Sequence, residues 1–117
     1  MSRPRKLAHP LYQLLIEEHI DSFNSQKAQF LTSAPINLQG ADLRGLNLRG
    51  LDAKGLDLRD AYLRSCDLRG IDFRDALLEG ASLNRAKISG CYFAHNLSAE
   101  EIIMSLTAGT RLRCDIK

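Results

Sequence analysis

From Ile36 to His95 the chain repeats every five residues. In that frame it reads INLQG, ADLRG, LNLRG, LDAKG, LDLRD, AYLRS, CDLRG, IDFRD, ALLEG, ASLNR, AKISG and CYFAH, twelve blocks without an insertion. The first position is small or apolar, and the third is Leu, Ile or Phe except at Ala53. The second is usually Asp or Asn, the fourth usually Arg or Lys through the first eight blocks, and the fifth most often Gly. Apolar residues spaced alternately two and three apart fit neither a helix at 3.6 nor a long strand at 2.0. The pattern demands a short extended piece followed by a turn, over and over. A period this regular sets the architecture before any single element is assigned.

These blocks, about half of the chain, resemble the pentapeptide-repeat family, whose motif is a small residue, Asp or Asn, Leu or Phe, and two variable positions. The resemblance implies an all-β solenoid, a right-handed quadrilateral β-helix in which each block forms one side and twelve blocks make about three coils. Coils would stack at roughly 4.8 Å, so side chains twenty residues apart form inward columns: Leu38/Leu58/Leu78, Leu43/Leu63/Leu83, Leu48/Leu68/Ile88 and Ala53/Phe73/Phe93. Ala53 falls in the column that carries Phe, which reads as compensation of volume. Cys66 and Cys91 fall at inward first positions and read as small hydrophobes.

A stack of this kind exposes its core and strand edges at both ends, so it needs caps. The chain divides accordingly into residues 1–35 as a helical cap and lead-in, 36–95 as the β-helix, and 96–117 as a C-terminal helix and tail, within one structural domain. After Pro10, the residues Tyr12, Leu15, Ile16, His19, Ile20 and Phe23 form one stripe, predicting a single helix of roughly four turns. Phe30 to Pro35 then lead into the first coil. Ser98 and Glu101 make a capping-box pattern, Ile102, Ile103 and Leu106 give an apolar face, and Ala108-Gly109 stops the helix. That helix either closes the last coil or docks a second subunit. Leu77 and Tyr92, apolar at outward positions near it, would extend the same contact. The tail from Arg111 to Lys117 is too polar to assign.

The sequence offers no catalytic constellation, metal cluster or cofactor motif, and no enzyme is expected. Three cysteines at wide spacing, with no CxxC, point to reduced thiols and a cytoplasmic setting. The basic start lacks the apolar run of a secretory signal, and no stretch approaches the roughly 18 residues of a membrane span. The glycines at 40, 45, 50 and 55 are spaced as turn corners, not as a phosphate loop. His19, on the apolar stripe, reads as a packed or interface residue, and His9 and His95 as solvated loop residues. Asp52 and Asp72 should lie one coil apart, but they face outward beside Lys54 and Arg74 and read as ion-paired surface.

The net charge is only +2, so no overall field selects a partner. Folded onto a square, however, the charges separate. The faces starting at 41 and 46 carry Arg44, Arg49, Arg64, Arg69, Arg85 and Lys87 against Asp42 and Asp67, and the other two faces are net acidic. Asp/Arg or Asp/Lys partners within a block (42/44, 52/54, 57/59, 67/69, 72/74) neutralise locally, leaving Arg49, Arg64, Arg85 and Lys87 free. The expectation is a protein-interaction or scaffolding module, convex on all sides, with an unidentified protein partner, a homodimer through the C-terminal helix as one arrangement, and no small-molecule substrate. The family resemblance also implies an alternative, a DNA mimic acting on a topoisomerase such as gyrase. The cationic fourth positions and a rod of roughly 14 Å argue against it. Weak nucleic-acid binding along the basic edge is a third reading, against which the interspersed Asp residues weigh.

Overall fold

In the computed structural model, which describes residues 4–30 and 35–115, the backbone pairs with itself in parallel at a constant offset of twenty residues. Strand β1 (Ile36–Asn37) lies beside β2 (Leu56–Asp57), with Ile36 opposite Leu56. The same offset recurs at Asp42/Tyr62/Ser82, Asn47/Asp67/Lys87, Asp57/Leu77 and Asp72/Tyr92. The chain is a β-helix solenoid whose stretches 36–55, 56–75 and 76–95 lie one upon the next as layers.

Most blocks hold the next layer by the same set of bonds. The third-position N–H donates to the second-position carbonyl of the next layer, as from Leu43 to Tyr62 at 3.0 Å and from Leu63 to Ser82 at 2.9 Å. The fifth-position N–H donates to the fourth-position carbonyl there, as from Gly45 to Arg64 at 2.9 Å. Extended pieces stay short because a corner follows at once, closed by a bond such as Ala41 N–H to the Leu38 carbonyl at 3.1 Å. That corner places the fifth residue in the left-handed region, which glycine enters freely and which Asp60, Ser65 and Arg85 also adopt at φ 61°. Gly80 is needed twice over, since a Cβ there would run into the Asp60 carboxylate.

The inward columns fill the core. Third-position residues from Leu38 to Leu83 are buried, while Ile88 and Phe93, with no layer below them, are half-buried. Phe73 and Phe93 stack with centroids 5.6 Å apart and planes 13° apart, and the buried Ala53 stands above them in the column. Cys66 is fully buried and donates its thiol to the Leu43 carbonyl at 2.8 Å; burial pushes it up to about 11. Cys91 repeats that bond to Leu68 while half-buried.

The N-terminal cap differs from the single helix predicted. It is two helices, α1 (Pro10–Ile16) and α2 (Ile20–Lys27), broken where Glu18 turns left-handed at φ 58°. The break has a cause in the edge beneath it: the Glu18 carboxylate accepts the Asn47 N–H at 2.6 Å. Bending the chain there moves Ile16 and His19 out of the stripe, and both are exposed, whereas Leu11, Tyr12, Leu15 and Phe23 are buried. Nor is His9 a solvated loop residue. It caps α1, accepting the Leu11 N–H at 3.1 Å, and its ring lies 5.1 Å from that of Phe30. The expected lead-in at 31–34 lies outside the described residues.

The C-terminal helix α3 (Ala99–Ala108) starts as predicted, Ser98 accepting the Glu101 N–H at 3.2 Å, and stops at Gly109 with φ 75°. The capping box is only half made, because the Glu101 carboxylate turns to Arg113, taking its backbone N–H at 3.1 Å and its guanidinium at 2.6 Å. Ile102 and Leu106 pack on the core, but Ile103 is 57% exposed. The buried contact of this helix is Ser105, whose hydroxyl accepts the Leu83 N–H at 2.8 Å. The tail, too polar to assign from sequence, packs against the last layer: Arg111 pairs antiparallel with Ser82, and Leu112 is fully buried.

Candidate interaction surface

The second position of each block does more than carry charge. In Asn37, Asp42, Asn47, Asp52, Asp57, Asp67 and Asp72 the side-chain Oδ1 accepts the backbone N–H two residues on, at 3.0 to 3.3 Å. This is an Asx turn, and it explains why Asn serves as well as Asp. The fourth-position arginine then closes onto the same carboxylate: Arg44 on Asp42 at 2.8 Å, Arg59 on Asp57 at 2.7 Å, Arg69 on Asp67 at 2.7 Å and Arg74 on Asp72 at 2.8 Å. The hydrogen bonds from Arg69 and Arg74 hold Asp67 and Asp72 down to about 2.

Two of the charge assignments need correction. Asp52 does not pair with Lys54, which gives it only a backbone N–H; its carboxylate meets the buried Lys27 ammonium at 2.9 Å. Arg49 is not free, since its Nε lies 3.5 Å from Asp67 and 3.3 Å from Asn47. Glu18 and Asp21 from the cap share a surface hollow with Arg49, so the helices dilute the basic edge at that end.

The cations that remain fall in order along the stack. Arg44 and Arg64 line one hollow with Asp42, Gly45 and Ser65. Arg64, Arg85 and Lys87 are exposed and have no ion-pair partner among the described residues. The Arg85 backbone donates to the Leu106 carbonyl at 3.0 Å, which places it beside the end of α3. Leu77 and Tyr92 are 43% and 58% exposed, with the Arg74 guanidinium 4.7 Å from the Tyr92 ring centroid.

Several residues that build this surface gave no signal in sequence. Asn24 clasps the first layer with both ends of its amide, to the Gly50 carbonyl and the Asp52 N–H at 2.9 Å each. Lys27 adds bonds to the Asp52 and Lys54 carbonyls at 3.0 and 2.7 Å. Arg111 reaches the Tyr62 hydroxyl at 2.7 Å. Only Leu112, the one leucine in a polar tail, could have been flagged from its composition. The rod also departs from the expected convexity: a cavity of about 230 Å³ is lined by Phe73 of the middle layer, Leu78 of the last, Leu97 and Cys114. Among the described residues no group of His, Cys, Asp or Glu could hold a metal ion, and no helix is long and apolar enough to cross a membrane.

Compared with known families, the chain matches the model of pentapeptide repeats in eight copies, over residues 36–63 and 57–93. No curated protein and no solved structure matches it.

Proposed function

Because the chain is a member of the pentapeptide-repeat family, we propose that it is a non-catalytic protein–protein interaction module, built as a right-handed quadrilateral solenoid of three coils that folds with both caps as one domain. The reading rests chiefly on one observation. Among the described residues, four of the six large exposed hydrophobics, Leu77, Tyr92, Ile103 and Met104, belong to the last layer and its helix, and apolar exposure gathered at one end marks a contact surface rather than scatter. Ile103 and Met104 would meet a second copy or a partner. The basic edge of Arg44, Arg49, Arg64, Arg69, Arg85 and Lys87 would orient the encounter, since rim charge acts more on rate and specificity than on affinity. A cytoplasmic setting fits the three free thiols. A DNA mimic would need carboxylates where Arg44, Arg64 and Arg69 stand.

Solution mass tests this directly, measured by sedimentation on the intact chain and on Ile103→Glu. Ile103 is the residue to change, because Ile102 and Leu106 also pack on the core. A dimer that becomes a folded monomer places α3 at a subunit interface. A monomer in both samples removes the homodimer and leaves a different protein as the occupant of that surface.

A further inference from the structure

The lower edge of the last layer is closed unevenly. Higher in the stack, outside the block of Leu51 and Ala53, first-position carbonyls accept from the next layer and third-position N–H groups donate to it: Leu56 O accepts from Leu77 at 3.0 Å and Leu58 N–H donates to Leu77 at 2.9 Å. Below residues 81–85 the tail takes over that role. Leu112 donates to the Ala81 carbonyl at 2.8 Å and accepts from Gly80 at 2.7 Å, with its side chain wholly buried, while Ser105 takes the Leu83 N–H. One block earlier the equivalent groups are the Ala76 carbonyl and the Leu78 N–H. Neither has a hydrogen-bond partner among the described residues, although Leu78 is only 5% exposed. Backbone groups in such places are nearly always paired.

Ala76 and Leu78 both line the cavity, together with Phe73, Ala94 and Leu97. Beside it the corner between Arg74 and Ala76 is shifted. Asp75 does not take the left-handed φ of other fifth positions, and Gly55 donates to the Asp75 carbonyl rather than to that of the fourth residue. A cavity of roughly 150 Å³ admits benzene, so about 230 Å³ admits a leucine or phenylalanine side chain. Arg59 and Arg74 stand at its mouth. Each uses Nε and Nη2 on its own aspartate, which leaves Nη1 available. Glu79, also at the lining, is engaged by the Cys114 N–H at 2.7 Å.

We propose that this is a strand-addition site for an extended, uncharged peptide segment of a partner protein. The segment pairs with the Ala76 carbonyl and the Leu78 N–H, as Leu112 and Ser105 together do with Ala81 and Leu83 one block along, seats one Leu or Phe in the cavity, and sets flanking oxygen acceptors against Arg59 and Arg74. Main-chain pairing supplies affinity and the pocket selects the side chain. The inference rests on the interaction-module reading and names the chemistry of the partner.

The probe is a blocked pentapeptide with a central leucine between pairs of serines, titrated into the full ¹⁵N-labelled chain. The Leu78 amide should shift and become protected from exchange. Methylating the leucine nitrogen of the peptide, which removes the donor to Ala76 without altering the protein, should weaken binding about tenfold. Ala94→Leu, which fills the cavity, should weaken it at least as much while the melting temperature holds or rises. Equal binding of the methylated peptide, of one with aspartate in place of leucine, or of 4-methylpentanoate alone would overturn the site, the last making it a pocket for small acids. Should a partner protein bind Ala94→Leu as tightly as it binds the unaltered chain, this site is excluded and the interaction reading survives.

Discussion

The first and last layers share one backbone and differ in how they are finished. In the first, every second position is Asn or Asp, at 37, 42, 47 and 52, and each makes its Asx turn. In the last, the same positions are Leu77, Ser82, Lys87 and Tyr92, and none can do so through a carboxylate or amide. The outer edges differ likewise. Above the first layer, Arg5 pairs as a strand with Ala41, and Glu18, Asn24 and Lys27 supply side-chain partners along the following blocks. Below the last, closure is concentrated under residues 80–85. The contrast teaches that side chains can stand in for a missing coil, and that an end given fewer of them keeps apolar surface and edge groups available for another chain.

The comparison breaks first if the closed part of the last layer is not anchored by its tail. Leu112→Ala should lower stability by about 3 kcal/mol in urea denaturation, the transfer and cavity terms of a fully buried leucine, whereas Ile103→Ala should change it by less than about 0.5 kcal/mol. A loss under about 1 kcal/mol at Leu112 would mean that the tail is an appendage. At the opposite end, Lys27→Met keeps the aliphatic stem but strips donors from the Asp52 and Lys54 carbonyls and the Asp52 carboxylate. A loss of about 2 kcal/mol is expected, and an unchanged denaturation midpoint would show that water replaces the ammonium without cost.

Acid should reverse the order of the two ends. Hydrogen bonds from Arg44, Arg69 and Arg74 lower Asp42, Asp67 and Asp72, the last two to about 2, against about 3.9 in an unfolded chain. A folded value below the unfolded one means stability fully present above about pH 4 and lost as pH falls toward about 2. Those carboxylates sit in the first two layers. In the last, the lowered group is Glu101, on the Arg113 pair that ties down the tail. Amide protection measured at pH 3 and pH 6 should therefore fall more over residues 36–75 than over 76–95, and a uniform loss would count against local carboxylate control.

The five-residue period made the solenoid and its columns legible because the same residue type recurs wherever the same backbone environment recurs. Ala53 against two phenylalanines could be read as volume before any coordinates, and the stacked Phe73 and Phe93 fit that reading. The caps were less legible because each is used once. A stripe at helical spacing from Tyr12 to Phe23 could not reveal that Glu18 would leave helical geometry to meet the Asn47 N–H, since that bond depends on a loop 29 residues away. The candidate surface lay between these cases. Its cations were readable, but pairing within blocks alone could not foresee Lys27 reaching Asp52 or Arg49 reaching across a layer to Asp67. The cavity was illegible, because the corner beside it, at Asp75, departs from the repeated geometry.

The smallest expected effect bears on why the first layer is the more regular one. If ion pairs hold its corners, Asp42→Asn and Asp42→Ala should weaken the fold alike, since both remove the charge that Arg44 meets. If the Asx turn holds them, Asn should be nearly silent. Asn47 already supports the second view: its Oδ1 accepts the Arg49 N–H at 3.2 Å, the distance at which Asp42 holds Arg44. Exposed ion pairs contribute about 0–1 kcal/mol, whereas a backbone N–H stripped of its acceptor costs about 1 kcal/mol or more. Asp42→Asn should therefore lose less than about 0.5 kcal/mol and Asp42→Ala about 1 kcal/mol, resolved by paired denaturation curves. Carrying the device to the other end sharpens the point, for Leu77→Asn gives the last layer an acceptor for the Glu79 N–H and should gain about 0.5 kcal/mol. Equal losses at Asp42, or a destabilised Leu77→Asn, would put the difference between the layers in their charges and not in their corners.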